Sequence, residues 1–363
     1  MFSFKKRHVV LVGILAGFAI TYQDQLKSVW QRLAVPSFRL EKAAANAAAT
    51  PTFASNSSLS DNYPTVNPYP IASDENLGRM ISARTSSSIP RPAQDSSPVL
   101  RIASFNLQAF GESKLRQSAV AETIVRILRQ FDVVALQHIQ SKHQAVLPEL
   151  VEKLNQLDRR FEYCIGPRVG SNGNQQQFAF VFDTDRIETD RQMLYTVDDP
   201  QRLVEFEPLV GWFRSKAGTL DTAFTFSLVN LRIDPLDSER EWKLIPDLIR
   251  SVRQDGRNED DIILVGDFGG SNIEIGSLQN IGMLFALEET PTTVSGEAML
   301  DNILFPSRAT DEFTGKSGVV DFLRQGNLSI DQALQVSSHM PIWAEFFAVE
   351  GGRFGYIGDK PSR

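Results

Sequence analysis

The chain has 363 residues, of which 42% are hydrophobic and 22% charged, a globular balance that excludes both wholesale disorder and a multi-span membrane protein. A formal net charge of -7 excludes a generally basic nucleic-acid coat, so a polyanion would have to be bound in a local basic groove. With Cys164 as its one cysteine, the chain can form neither an intramolecular disulfide nor a cysteine cluster for zinc or iron–sulfur.

At the N-terminus, Lys5, Lys6 and Arg7 precede an apolar run from Val9 to Tyr22 that ends at Gln23 and Asp24. Residues 1–22 therefore read as an N-terminal membrane-targeting helix. The run is about 14 residues, or roughly 21 Å as a helix, short of the ~20 residues that a bilayer core prefers. Gly17 and Ala19 have the small size and spacing of a signal-peptidase site, but they lie inside the run rather than after a polar neck. An uncleaved anchor leads over a cleaved signal and a buried soluble helix. In the first two cases the basic tip stays cytoplasmic, and the domain is membrane-anchored and extracytoplasmic or, after cleavage, secreted.

Residues 23–97 begin as a mixed stalk carrying Trp30 and become a linker of Ala, Ser, Thr, Asn and Pro. This composition offers little periodic apolar surface to offset chain entropy. Ordered sequence starts at Val99, in a domain expected to span 98–349 with a tail at 350–363. Val-Leu-Arg-Ile-Ala-Ser-Phe-Asn alternates apolar and polar positions before Gly111, predicting a strand and a turn. Val120, Ile124, Ile127, Leu128 and Phe131 recur at helical spacing, and Val133–Leu136 is a short buried strand. A helix near Val146–Leu157, strands near Tyr163–Ile165, Phe178–Phe182 and Phe224–Leu231, and an amphipathic helix marked by Trp242, Ile245, Ile249 and Val252 follow. Strands at Ile262–Val265, Leu300–Phe305 and Ile342–Phe347 complete the pattern. Helices alternating with many short strands favour an α/β layered sandwich in one domain over an all-β fold.

Polar groups gather where the strands end: Ser104-Phe105-Asn106, Gln137-His138, Gly266-Asp267-Phe268-Gly269 and Ser337-Ser338-His339-Met340-Pro341. Loops leaving a packed sheet can carry such groups where its interior cannot. Taken singly, a Gly-Asp after a strand is more often a turn and a His before Met-Pro more often structural. Their order and spacing carry the signal.

In that order, with Leu100–Lys114 as the opening strand and turn and with Asp132–Gln137, Tyr163–Pro167, Phe178–Asp185, Leu228–Asp234, Asp261–Phe268, Leu300–Leu304 and His339–Phe347 following, the chain resembles the endonuclease/exonuclease/phosphatase superfamily, with the nearest look to the pancreatic-type deoxyribonucleases. The resemblance implies a two-sheet αβ sandwich whose edge hydrolyses phosphodiesters with a divalent cation. It assigns the family's asparagine to Asn106, the aspartate of its Gly-Asp-Phe-Asn motif to Asp267, its last histidine to His339 and that histidine's aspartate to Asp301. Other family positions are altered. His138 stands at the metal-binding glutamate, Gln176 at the glutamate that orients a catalytic histidine and Arg232 at that histidine. Phe206 stands at a phosphate-binding arginine, Gly269 at the motif's asparagine and Ser338 at an acidic metal ligand.

A hard cation such as Mg²⁺ or Mn²⁺ wants oxygen ligands, and two of the family's carboxylates are replaced. A softer His138 beside Asp267 supplies such a site poorly, so no cation is expected to bind tightly. Arg232 cannot exchange a proton near neutral pH. The expectation is a pseudo-nuclease, membrane-tethered or exported, acting as a scaffold or, in one variant, as a binding module that retains phosphate binding through Asn106 and Arg232. The alternative is a divergent metal-dependent phosphodiesterase using Asp267, His339 and Asp301, with Asp267 and His138 as metal ligands. Its ligand would be a phosphodiester or nucleic acid; no protein partner is indicated.

Overall fold

The computed structural model describes residues 98–351, apart from 172, 271–274 and the side chains of 275–277. The expected targeting segment 1–22, the stalk and linker 23–97 and residues 352–363 of the expected tail lie outside the described residues. Among the described residues no helix is long and apolar enough to cross a membrane.

Strand β1 (Val99–Phe110) leads through α1 (Glu112–Leu115) and α2 (Ser118–Leu128) to β2 (Val133–Ile139). Helix α3 (Val146–Leu154) joins it to β3 (Phe161–Val169) and β4 (Gln176–Asp183). Then come β5 (Ile187–Thr189), β6 (Tyr195–Thr196), β7 (Leu209–Ser215) and β8 (Thr225–Arg232). Helices α4 (Ser238–Trp242) and α5 (Ile245–Arg253) precede β9 (Ile262–Asp267). The chain ends with α6 (Ile275–Asn280), β10 (Met283–Phe285), β11 (Asp301–Pro306), β12 (Phe313–Val319), α7 (Phe322–Gln325), α8 (Ile330–Val336) and β13 (Ile342–Phe347).

The strands form two mixed sheets, one ordered β12-β13-β1-β2-β4-β3 and the other β10-β11-β9-β8-β7-β5, with β6 on β7. Because successive strand side chains face opposite ways, Ile102 of β1 enters the core between the sheets while Ala103 and Phe105 pack under the helices outside. The inner core is built largely of phenylalanine. Phe180, Phe213, Phe226, Phe224, Phe346 and Phe305 form a chain with ring centroids 4.9 to 6.0 Å apart, spacings at which aromatic pairs add to the gain from area burial. Helices α2, α3, α7 and α8 cover one outer face; α4, α5 and α6 cover the other.

The two mixed sheets form the expected α/β sandwich. One local expectation is corrected: the amphipathic stretch from Trp242 to Val252 is two helices rather than one. Pro246 lies in the first turn of α5, and a proline without an N–H cannot continue the ladder of α4 but is well placed to start a new helix.

Topology places the site. β1 runs parallel to β2, and β8 parallel to β9, so the C-terminal ends of each pair share one edge of their sheet. Their antiparallel neighbours β4, β11 and β13 begin at those edges. Asn106, His138, Arg232 and Asp267 therefore arrive at strand ends, and Gln176, Asp301 and His339 at or just before strand starts.

Candidate active site

Asn106 is buried near the point where β1 loses its register with β2. Its Oδ1 accepts the Gln108 N–H at 3.0 Å, closing a turn in which Gln108 and Ala109 take positive φ; such side-chain-closed turns suit Asn. This frees Nδ2 to donate to Asp267 Oδ2 at 3.0 Å. The other Asp267 oxygen accepts the Gly269 N–H at 3.0 Å, and Gly269 has φ +70°. The residue at the motif's asparagine position thus contributes backbone alone.

His339 sits between two carboxylates. Its Nδ1 is 2.8 Å from Asp301 Oδ2, and its Nε2 is 3.9 Å from Asp267 Oδ2 and 3.5 Å from Asn106 Nδ2. Thr292 donates its hydroxyl to the same Asp301 oxygen at 2.9 Å, and Ser337 Oγ donates to the Asn106 carbonyl while accepting the His339 N–H. Burial works against charge on His339, but Asp301 and Asp267 outweigh it and raise the imidazole to about 9.

That shift has a stability consequence with a definite sign. The folded value, about 9, exceeds the ordinary 6.5, so the stabilisation is complete below about pH 6.5 and is lost as pH rises through 9. At 1.36 kcal/mol per unit, urea denaturation between pH 6 and pH 10 should show a fall of up to about 3 kcal/mol from this group. Asp301→Asn should flatten that slope; an unchanged slope would rule out the imidazolium–Asp301 pair.

Arg232 stands opposite Asp267 in the parallel β8–β9 register. Its Nε lies 3.6 Å from Asp267 Oδ2, its Nη1 donates to Gln176 Oε1 at 3.3 Å, and its guanidinium lies 5.0 Å over the ring of buried Phe206. Gln176 is fully buried, and its Nε2 has no hydrogen-bond partner among the described residues. The cation that faces the Asp267 carboxylate is thus a side chain of this protein.

His138 occupies a bulge of β2, with φ +62° and a register break between Leu136 and Ile139, the kind of distortion that re-aims a side chain. Burial, reinforced by Arg232, His339 and Lys114, pushes its imidazole down to about 3 and keeps it neutral. In this cleft, among the described residues, Asp267, Asp301 and His339 have ligand atoms within 4.8 Å of one another, and His138 is not part of that group. Ser338 is half-buried and uses its N–H to bond Gln108 Oε1 at 3.1 Å.

These donors fit a divalent cation poorly. Asp267 faces the fixed guanidinium of Arg232, and His339 and Asp301, whose carboxyl burial pushes upward, hold a proton between them. At an effective dielectric of about 20, a doubly charged ion about 4 Å from a guanidinium would be repelled by about 8 kcal/mol.

Some supporting residues carried no signal in the sequence. Thr292 lies in an ordinary Pro-Thr-Thr loop. Lys114 donates to the carbonyls of Leu107, Gln108 and Val336 at 2.7 to 2.8 Å, tying the Asn106 turn to the end of α8 from which His339 follows. Burial lowers its amine to about 8. Asn230 was detectable as an amide inside the apolar run of β8; it accepts from Gln137 at 2.7 Å and donates to carbonyls of β2 and β4 beneath the site.

The profile of the Endonuclease/Exonuclease/phosphatase family matches residues 103–272. Deoxyribonuclease gamma of Rattus norvegicus is 30% identical over 261 residues, covering 67% of this chain and 83% of its own. The chain belongs to the endonuclease/exonuclease/phosphatase family. Deoxyribonuclease-1 of Ovis aries is 27% identical over 261 residues, covering 67% of this chain and 98% of its own. A solved structure of a family protein from Bacteroides thetaiotaomicron aligns with 16% identity and a TM-score of 0.48 over 71% of this chain and 98% of that one. In this endonuclease/exonuclease/phosphatase member the Asn106–Asp267 and Asp301–His339 bonds lie together, with Arg232 and Gln176 beside them.

Proposed function

We propose that this chain is a catalytically impaired member of its family that binds a phosphate-bearing ligand without cleaving it. The observation that carries the proposal is the Arg232 guanidinium 3.6 Å from Asp267, which supplies in fixed form the positive charge that a metal would bring. A guanidinium cannot trade protons at neutral pH, so the acid–base exchange expected of a histidine there is lost, while its planar donors remain suited to phosphate oxygens. His138, held neutral by burial and by the cations around it, adds no negative charge for a metal. The ligand class is a phosphodiester or nucleic acid, by analogy with the deoxyribonucleases it resembles. The basic tip and apolar run of residues 1–22 support a domain held at a membrane on its outer side, which carbonate extraction and protease protection of tagged protein would test.

Purified protein is expected to show no cleavage of plasmid DNA, RNA or a chromogenic phosphodiester in Mg²⁺ or Mn²⁺ above the chelated control, while Arg232→Ala weakens binding of inorganic phosphate about tenfold or more. Turnover abolished both by chelator and by Asp267→Ala would reject the proposal in favour of a second reading, a divergent phosphodiesterase. That reading draws on the retained Asn106–Asp267 and Asp301–His339 bonds: Asp267 would align water and His339 would offset charge on the phosphate oxygens.

A further inference from the structure

A second acidic group lies at the other end of β9. Asp261 directly precedes the strand that Asp267 closes, so about 20 Å of extended chain separates the two carboxylates. Asp261, Glu312 and Glu350 each present an oxygen, all within 4.8 Å of one another. Asp261 is 4% exposed and Glu312 2%, whereas Glu350 is open to solvent.

The bonding of these side chains is incomplete. Glu312 Oε1 accepts the Gly351 N–H at 2.7 Å, and Glu350 Oε1 accepts the Thr225 N–H at 2.8 Å. Among the described residues Asp261 Oδ1 and Glu312 Oε2, both buried, have no hydrogen-bond partner, and the Thr310 hydroxyl against Asp261 makes no well-formed bond. The charged neighbours acting on the three are further carboxylates, Glu259, Asp260 and Asp311. Buried carboxylates that face one another persist only if they are neutralised by a proton, an ion pair or a metal. Among the described residues none of the three makes an ion pair with Lys, Arg or His.

We infer that Asp261, Glu312 and Glu350 form a binding site for a calcium-like divalent cation, distinct from the cleft at Asp267. The donors are all oxygens, which suits a hard ion, and calcium tolerates an irregular shell completed by carbonyls and water better than magnesium does. The exposed Glu350 gives the ion a way in. Glu312 immediately precedes β12 and Glu350 follows β13 by three residues, while Asp261 opens β9 of the other sheet, so the bound ion ties the two sheets together at the end remote from the cleft. The rival is proton sharing: without an ion, burial and Glu312 push Asp261 up to about 9.

Calorimetric titration of the chelator-stripped full chain with calcium chloride at pH 7.5 tests the inference independently of what the cleft does. The expected result is one bound calcium ion and a higher Tm in calcium than in chelator. Asp267→Ala should leave this binding intact, whereas Glu312→Gln and Glu350→Gln should each weaken it at least tenfold. The exposed Glu350 can be changed without disturbing the core, so at least one variant reads binding on a folded protein. No binding by the unchanged chain, full binding in Glu350→Gln, or loss of binding in Asp267→Ala would each overturn the inference; the first would leave the shared proton as the neutralising group.

Discussion

A chain carrying His138→Glu, Gln176→Glu, Arg232→His and Ser338→Asp together is expected to gain divalent-cation binding in the cleft and metal-dependent nicking of supercoiled DNA, at least ~10²-fold above the unchanged protein, the lower range of what general acid–base groups contribute. The argument is electrostatic. In the unchanged cleft Asp267 and Asp301 are matched by Arg232 and protonated His339, leaving no net attraction for an added ion. The four changes remove one fixed cation and add three carboxylates. Gln176→Glu also replaces an amide whose Nε2 has no acceptor with a group that can orient the new histidine. Metal binding by calorimetry and nicking with and without chelator are the readouts, and Asp267→Ala in the altered background should abolish both. A folded quadruple variant that binds no metal would refute this electrostatic account.

Gly266→Ala should be among the most damaging single changes in the domain, lowering stability by more than about 3 kcal/mol, a size that marks a steric or backbone cause. Gly266 has φ +152°, and a Cβ there would lie 1.9 Å from the Leu231 carbonyl oxygen. Leu231 and Gly266 are register partners on β8 and β9, both interior strands, so the obstacle is backbone held from both sides and cannot swing away as a side chain would. Gly269→Ala is the control: its φ is also positive, at +70°, but its Cβ meets nothing nearer than 3.6 Å, so the cost should be the left-handed penalty of about 1–2 kcal/mol. Thermal unfolding of the two variants should differ clearly; equal losses would refute the steric account.

The fold was legible where burial writes a pattern. Continuous apolar runs at Val133–Leu136 and Ile262–Val265 are strands with both faces covered, and the recurrence from Val120 to Leu128 is a helix with one face on a sheet. Two strands, β12 and β7, were not anticipated. β12 reads Phe-Thr-Gly-Lys-Ser-Gly-Val and is largely exposed or half-buried, so nothing forces it to alternate. β7 contains Gly211 and follows a charged loop, and it becomes a strand through its neighbours β8 and β5. Helix α8 did carry a signal: Ser329 and Gln332 form a capping box, a spacing visible in the sequence. Of the site, the residues at strand ends could be read because they interrupt apolar runs. What holds them could not, since Thr292 and Lys114 act through contacts set by tertiary structure alone.

The register that fixes Arg232 against Asp267 also constrains how such a protein can change over generations. If Arg232 were lost first, Asp267 would keep only the Asn106 bond and the imidazole of His339 at 3.9 Å, with Gln176 unable to compensate. A carboxylate introduced first at position 138 would meet the burial that chiefly suppresses charge on His138, offset by Arg232, His339 and Lys114. Positions 138 and 232 are therefore coupled: a glutamate placed at 138 finds a balancing charge only while Arg232 is still present.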